Sequence, residues 1–78
     1  MIIQVTVGDN TRRETRGYDD TRTLRSIFEE NGINYTSPGV VNSLDCCPLR
    51  PGELDKTLAD FGIQNKVVLS SVVKADNA

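Results

Sequence analysis

The sequence predicts an α+β fold in which a mixed β-sheet packs against a single α-helix. Residues 1–7, MIIQVTV, alternate with the period of a half-buried strand. Leu24, Ile27 and Phe28 follow the i, i+3, i+4 spacing of one helix face. The run 66–73, KVVLSSVV, is the most β-prone in the chain. Because a chain of 78 residues has room for only one core, these three segments must share it.

The first two strands are predicted to form a hairpin. In the first strand, the side chains expected to face the core are those of Met1, Ile3, Val5 and Val7. The sequence GDN at positions 8–10 follows, and these residue types accept the backbone angles of a tight turn. The returning segment 11–18, TRRETRGY, is too polar to lie in the middle of a sheet. We therefore expect it at an edge, where charged side chains also discourage unwanted strand pairing.

The helix is predicted to begin near Asp20 and Thr21, directly after Asp19. Carboxylate and hydroxyl oxygens accept hydrogen bonds from the free N–H groups of a first helical turn. Negative charges also suit the positive end of the helix dipole. Asn31 and Gly32 are predicted to end the helix, with the glycine in the left-handed conformation.

The next segment is predicted to contain a short strand and two turns. Residues 39–44, GVVNSL, are β-branched at their start, so a brief third strand is expected there. Residues 45–49, DCCPL, predict a turn that carries small, partly buried cysteines. Pro51 and Gly52 predict a type II turn, because proline fixes φ at the first central position and glycine tolerates a positive φ at the second.

The rest of the chain is predicted to cross beneath the sheet before the final strand. Leu54, Leu58 and Phe61 have helix-like spacing for barely two turns, and Gly62 ends this short helix before the apolar Ile63. For the last strand to be central it must lie beside the first, and parallel neighbours require a crossover. The predicted order is therefore ββαββ, with a short helix before a last strand that runs parallel to the first.

Composition predicts one domain over residues 1–74 and a flexible tail over residues 75–78. The apolar fraction is 37% and the charged fraction 26%, both within the globular range. The chain shows no signal peptide and no run of about 18 apolar residues, so we expect a cytoplasmic monomer without a membrane partner. Cys46 and Cys47 are adjacent, which suits a disulfide poorly, so both are predicted to be free thiols, and a redox role is left open.

The sequence offers few groups for catalysis. It contains no histidine, which is the commonest general base and a common metal ligand. The acidic pairs 19–20 and 29–30 fall at predicted helix ends, where capping and solubility account for them. The two cysteines lack further soft ligands at a suitable spacing. We therefore expect no enzymatic activity, no cofactor and no metal site.

A group of arginines in the first third of the chain is one candidate site. Its members are Arg12, Arg13, Arg16 and Arg25. Either these cations belong to solvated strand and helix faces, or they form a patch that docks an acidic partner. Nucleic acid is disfavoured, because the net charge is −2 and Tyr18 is the only aromatic residue of this region that could stack on a base. Weak nucleic-acid binding through the arginines is kept as an alternative function.

One segment carries a more specific signal than the strand and helix patterns. Its residues are Thr57, Leu58, Asp60, Phe61 and Ile63. They match the Thr-Leu-x-Asp-aromatic-x-Ile segment of ubiquitin-like domains, and the positions of the first strand and of the helix match as well. The chain thus resembles the ubiquitin-like, or β-grasp, family over nearly its whole length.

The resemblance implies a β-grasp roll and a candidate interaction face. Ubiquitin binds partners through an apolar patch on the exposed faces of its third and fifth strands, and the nearest candidates here are Ile2, Val41 and Val72. Conjugating members and sulfur carriers end in Gly-Gly, whereas this sequence ends in Asp76-Asn77-Ala78. A modifier or carrier activated at its C terminus is therefore disfavoured.

Together these observations predict a non-catalytic module that binds another protein, as an adaptor or an inhibitor of a larger protein. Two surfaces are candidates for that contact. The sheet face contributes Ile2, Val41 and Val72, and the arginine group contributes Arg12, Arg13, Arg16 and Arg25.

Overall fold

The last strand lies beside the first, and this pairing organises the sheet. A computed structural model describes residues 1–73. The strands are β1 (Ile2–Gly8), β2 (Arg13–Asp19), β3 (Val40–Leu44), β4 (Cys47–Pro48) and β5 (Lys66–Val73), and the helix is α1 (Leu24–Glu30). Two 3₁₀ helices, Pro51–Asp55 and Ala59–Phe61, precede β5. The predicted α+β fold, a mixed sheet on one helix, is confirmed, whereas the predicted tail 75–78 lies outside the described residues.

The strand order in the sheet is β2-β1-β5-β3-β4. β5 is central and runs parallel to β1, with Val5 opposite Val67 and Val7 opposite Leu69. β2 pairs antiparallel with β1, and β3 pairs antiparallel with β5. The polar β2 is an edge strand, as predicted, and Tyr18 is its one buried residue.

The core lies between the inner face of the sheet and α1. Its largest fully buried side chains are Phe28, Ile3, Leu24, Ile27, Leu58, Leu69 and Val5. The predicted helix stripe is therefore confirmed. Met1 is 62% exposed, so its predicted place on the core face is wrong, because it precedes Ile2, the first residue of β1 that pairs with β2.

The carboxylate of Asp9 organises the predicted hairpin turn between β1 and β2. Its Oδ1 accepts hydrogen bonds from the backbone N–H groups of Thr11 at 2.8 Å and Arg12 at 3.0 Å, and from the Thr11 hydroxyl at 2.8 Å. These bonds favour the ionised form and hold the pKa of Asp9 below its ordinary value. Asn10 Oδ1 accepts a hydrogen bond from Val73 N at 2.7 Å, so the same turn also fixes the end of β5.

Helix α1 begins later than the sequence predicted. Its N-cap is Thr23, whose hydroxyl accepts a hydrogen bond from a backbone N–H three residues on, at 3.2 Å. Asp19 instead accepts hydrogen bonds from the N–H and the hydroxyl of Thr21, at 3.1 and 3.0 Å. Local bonding of this kind closes a turn and competes with helix formation. The predicted end is confirmed, since Asn31 is the C-cap and Gly32 has a φ of 69°.

A tight hairpin connects β3 to β4. Asp45 and Cys46 have φ values of 49° and 68°, and a type I′ turn requires positive φ at both central residues. β4 was not predicted, because two residues are too few to show a strand pattern. Cys46 and Cys47 are both free and exposed, so the predicted partial burial of these cysteines is wrong, since the turn that carries them lies outside the core.

The type II turn predicted at Pro51 and Gly52 is wrong. Gly52 does not have a positive φ, and the first 3₁₀ helix begins there instead. The carboxylate of Glu53 accepts a hydrogen bond from Arg50 N at 2.8 Å, and Glu53 N donates to Arg50 O at 2.9 Å, which closes the segment as a helical turn. Gly62 ends the second 3₁₀ helix with a φ of 72°, as predicted.

The segment between the two 3₁₀ helices is bonded to the start of α1. Leu24 N donates to Lys56 O at 3.1 Å, and Leu58 N donates to Arg22 O at 3.2 Å. The first bond satisfies one of the N–H groups that a helix leaves free at its beginning. Leu54 and Leu58 are both buried, so the predicted role of this segment as scaffolding beneath the sheet is confirmed.

Thr57 and Asp60 hold the second 3₁₀ helix through two reciprocal hydrogen bonds. Thr57 N donates to Asp60 Oδ2 at 2.9 Å, and Asp60 N donates to Thr57 Oγ1 at 3.1 Å. The bonds from Thr57 stabilise the ionised carboxylate and hold the pKa of Asp60 below its ordinary value of 3.8. The stability of this turn is therefore linked to pH.

Leu58→Ala is expected to lower the free energy of unfolding by about 2–5 kcal/mol, because it leaves a cavity between the crossover and α1. Urea unfolding followed by circular dichroism measures the change. Val68→Ala, which shortens an exposed side chain, is the control and is expected to cost about 1 kcal/mol or less. Equal unfolding midpoints for Leu58→Ala and the parent chain would show that this segment is not part of the core.

Asp60→Asn is expected to lower stability at neutral pH and to have little effect in strong acid. Because the pKa of Asp60 is lower in the folded state, its bonds add stability above the unfolded value of 3.8, and this stability is lost as the pH falls through the folded pKa. Urea midpoints at neutral pH and at about pH 2 test this. Thr57→Val, which lacks only the hydroxyl bond, should lose part of the same pH dependence. A deficit of Asp60→Asn that persists unchanged in acid contradicts the prediction.

Cys46→Gly is expected to raise the free energy of unfolding by about 0.5–1 kcal/mol. A Cβ at positive φ costs about 1–2 kcal/mol, which exceeds the about 0.5–1 kcal/mol of extra backbone entropy that glycine loses on folding. Cys47→Gly is the matched control: its φ is not positive, so it should lose stability. Thermal unfolding in a thiol reductant measures both variants, and an equal loss for the two would refute the assignment of strain to Cys46.

Candidate functional site

The outer face of the sheet, opposite α1, is not covered by any element formed by residues 1–73. Val41 of β3 stands opposite Val72 of β5 in antiparallel register, and both are half-buried. Val68 lies four residues before Val72 on the same face of β5 and is 41% exposed. We call Val41, Val68 and Val72 the valine cluster. Val41 and Val72 form its contiguous part, and Ser70 separates them from Val68 along β5.

Ile2, the third aliphatic residue predicted for this face, lies apart from Val41 and Val72. It is 64% exposed and pairs with Asp19 at the start of β1. Gly8, six residues further along β1, pairs with Ser70, which precedes Val72 by two residues. Six residues of extended strand span about 20 Å. The structure therefore brings Val41 and Val72 together but leaves Ile2 at the opposite end of the face.

Small polar residues occupy the face between these two ends. Thr6 and Thr15 share a hydrogen bond between their hydroxyls at 2.9 Å, and Ser43 stands opposite Ser70 beside the valine cluster. Sequence analysis missed Val68. A signal for it was available, because the period of two that buries Val67 and Leu69 places Val68 and Val72 together on the other face.

The predicted arginine group is brought together only in part: Arg12 and Arg16 line one small pocket with Glu14 and Glu30, and Arg13 and Arg25 do not line it. Arg12 Nη2 donates to Asn31 O at the end of α1, at 2.8 Å. Arg13, the first residue of β2, pairs with Gly8. Arg16 Nη2 lies 2.8 Å from a carboxylate oxygen of Glu14, and this hydrogen bond raises the pKa of Arg16. Carboxylates therefore share this region with the cations.

Arg25 lies on the side of α1 that faces Tyr35 and Asp55. Its Nε donates to Asp55 Oδ1 at 2.8 Å, and its Nη1 donates to Tyr35 Oη at 3.2 Å. These hydrogen bonds raise the pKa of Arg25, so the group is a permanent cation. The Tyr35 hydroxyl donates to Glu29 Oε2 at 2.7 Å, and its ring stacks on Phe28 with centroids 5.6 Å apart. Arg25 of α1 is thus bonded to two neighbouring segments, the first 3₁₀ helix and the loop that carries Tyr35.

A groove of about 490 Å³ lies between α1, the loop at 35–37, β3 and residues 49–54. We call it the α1–β3 groove. Its apolar walls are formed by Tyr35, Val40, Leu49 and Leu54, and its cations are Arg25 and Arg50. Val41 also lines it, so the groove brings together two residues predicted for different sites, Val41 and Arg25.

The groove itself could not be predicted from the sequence. Tyr35, Leu49 and Arg50 are far apart in the chain and show no common pattern. One of its side-chain atoms, Asn42 Oδ1, is buried and has no hydrogen-bond partner among residues 1–73, although Asn42 Nδ2 donates to Tyr35 O at 2.9 Å. Asn42 therefore adds a polar group to the β3 side of the groove, where Val40 and Val41 are apolar.

The described part of the chain contains neither a metal-ligand cluster nor a membrane-spanning helix. Between residues 1 and 73 no three side chains of the types His, Cys, Asp and Glu converge on a point where a metal ion could bind. In the same residues, no helix has the length and apolar character needed to cross a membrane.

No protein-family model and no curated protein matches the chain. Several solved structures do. The ubiquitin-like domain of the Arabidopsis thaliana protein At2g32350 is 22% identical, with a TM-score of 0.65 over 99% of this chain and 82% of that one. Trypanosoma brucei tubulin-binding cofactor B is 17% identical, with a TM-score of 0.63 over 99% and 100%. The N-terminal ubiquitin-like domain of the 4931431F19Rik protein is 16% identical, with a TM-score of 0.61 over 99% and 79%.

These similarities establish the fold. They extend over almost the entire chain, and two of the three structures are described as ubiquitin-like domains. The mixed sheet, the single α-helix and a short helix before the last strand are the features that the resemblance implied. The chain therefore has the ubiquitin-like, β-grasp fold.

Proposed function

We propose that this domain of ubiquitin-like fold is a non-catalytic protein-interaction module, an adaptor or an inhibitor, that binds its partner through the valine cluster. The non-catalytic part of the proposal rests on the sequence, which contains no histidine and therefore lacks the commonest general base. The binding part rests on the outer face of the sheet.

The observation that carries the proposal is the pairing of Val41 with Val72 on a sheet face that no element of residues 1–73 covers. Half-buried valines of this kind add apolar surface that a partner can remove from water, at about 25 cal/mol per Å². The surrounding serines and threonines are small, so they leave the face accessible to a flat partner surface. Val68 is exposed on the same face of β5, beyond Ser70.

The structural comparisons support a protein as the class of partner. Tubulin-binding cofactor B is named for binding tubulin, and its fold matches this chain at a TM-score of 0.63. At 17% identity the similarity shows that the two proteins share a fold, and it does not show that they share a partner. The proposal for this chain therefore names a protein partner without transferring tubulin to it.

The alternative of nucleic-acid binding is not favoured by the geometry. Arg16 and Arg25 form ion pairs with Glu14 and Asp55, and Arg12 is bonded to the end of α1. Binding to phosphates needs cations arranged along one surface. With carboxylates beside these arginines and the net charge at −2, a protein partner fits the surface better.

The proposal includes a monomer that acts in the cytoplasm. Cys46 and Cys47 are exposed free thiols, and such thiols persist in compartments that keep them reduced. A monomeric state agrees with a valine cluster that is small compared with the apolar patches of obligate dimers.

Val72→Lys is expected to abolish capture of the partner, because it places a charge at the centre of the apolar contact. The measurement is affinity capture from lysate with quantitative mass spectrometry, and the protein of interest is one enriched by the parent chain and lost with Val72→Lys. The expected loss is about tenfold or more, as for a central interface residue.

Ile2→Lys is the matched control for this experiment. It makes the same change of an aliphatic side chain on the same face, eight residue steps or about 26 Å from Val72 along the strand direction. Capture is expected to survive it. If Val72→Lys captures the same proteins as the parent, or if Ile2→Lys loses them equally, the valine cluster is not the binding surface. Thermal unfolding of both variants shows that each remains folded.

A further inference from the structure

The α1–β3 groove is a second surface, which shares only Val41 with the valine cluster, and its shape suits an inserted side chain. Its volume of about 490 Å³ falls within the range of sites that hold ligands, about 300–1,000 Å³. Tyr35 and Leu49 pack against the core but stay partly exposed, so apolar surface remains on the groove walls. An apolar side chain that enters between them would remove that surface from water.

Two cations line the groove, and the nearest carboxylates are held in other bonds: Asp55 with Arg25, Glu29 with the Tyr35 hydroxyl and Glu53 with Arg50 N. The net charge is −2, yet the lining residues include Arg25 and Arg50 and none of the chain's acidic residues. Asp55 bonds to Arg25 from outside the lining, and its side chain is 70% exposed. An occupant of the groove would therefore meet two cations and no carboxylate on the lining.

Both arginines retain donors for an anion. Arg25 uses Nε and Nη1 for Asp55 and Tyr35, and its Nη2 makes no hydrogen bond within residues 1–73. The Arg50 guanidinium forms no hydrogen bond or ion pair with the described residues, while its backbone is fixed by two bonds to Glu53. Cations held on a fixed backbone lose less entropy when they bind a carboxylate.

We propose that the α1–β3 groove binds an acidic segment of another protein, in which an apolar side chain enters between Tyr35 and Leu49 and flanking carboxylates bond to Arg25 and Arg50. Guanidinium and carboxylate groups match in geometry and form strong charge-assisted hydrogen bonds. The proposal goes beyond the valine cluster, since the groove could hold such a segment whether or not that cluster binds a partner.

Selection of short random peptides displayed on phage against the full chain tests the chemistry of the occupant. The enriched peptides are expected to contain a large apolar residue flanked by Asp or Glu. A synthetic enriched peptide, titrated into ¹⁵N-labelled protein, should shift the amide signals of Tyr35, Asn42 and Leu49. No enrichment, enrichment of neutral or basic peptides, or shifts confined to Val68 and Val72 would overturn the proposal.

Arg50→Glu is expected to weaken binding of that peptide by about tenfold or more, since one charge-assisted bond is lost and a like charge is introduced. Arg13→Glu is the matched control, because it makes the same change outside the groove. It should alter the affinity by about twofold at most, as expected for a remote charge at physiological salt. Equal losses for the two variants would show a general charge effect and overturn the proposal.

The same peptide separates this proposal from the proposed function. Val72→Lys is expected to keep its affinity for the peptide even where it loses the captured protein. If Val72→Lys loses the peptide, the peptide binds the valine cluster and the groove proposal fails, while the proposed function stands. Sedimentation of the free chain completes the test: a dimer that Arg50→Glu dissociates would make a second copy the occupant and overturn the proposal.

Discussion

The parallel pairing of β1 with β5 is the constraint on which the rest of the structure depends. Parallel neighbours cannot be joined by a tight turn, so the chain between them must pass across one face of the sheet. α1 and the two 3₁₀ helices make that passage, and the backbone bonds of Leu24 to Lys56 and of Leu58 to Arg22 join its two halves. Every covering element thus lies on one side. The outer face is left without a cover within the described residues for the same reason.

The short length of β4 accounts for the position of the groove. β4 pairs with β3 only at Ser43 and Leu44, so on the edge of β3 away from β5 no strand lies beside its first residues. After β4 the chain returns toward α1, and Leu49 N donates to Asn42 O at 2.7 Å, which closes one wall. Tyr35, stacked on Phe28, forms the opposite wall. The groove is therefore a consequence of an incomplete sheet edge beside a well-packed helix.

The parts of the fold that depend on periodicity could be predicted from the sequence, and those that depend on competition between local hydrogen bonds could not. The alternation of β1 and the stripe of α1 each bury a continuous face, so their pattern is visible in the residues. The helix start is different, because both Asp19 and Thr23 can accept from a backbone N–H and only the packed structure selects Thr23. At the site, Val41 and Val72 followed from a resemblance, whereas the groove arises from tertiary contacts.

The distribution of charge decides what each surface can attract. An ion pair such as Arg16 with Glu14 presents almost no net field to a partner at a distance. Only a cation without such a partner acts on its surroundings, and then only within about 8–10 Å at physiological ionic strength. Arg25 is paired with Asp55, so in this chain of net charge −2 an acidic segment is selected by contact, chiefly at Arg50, whose guanidinium has no partner within residues 1–73. Recognition at the groove is therefore short-range and specific. The valine cluster carries no charge, so it suits an apolar partner surface rather than an acidic one.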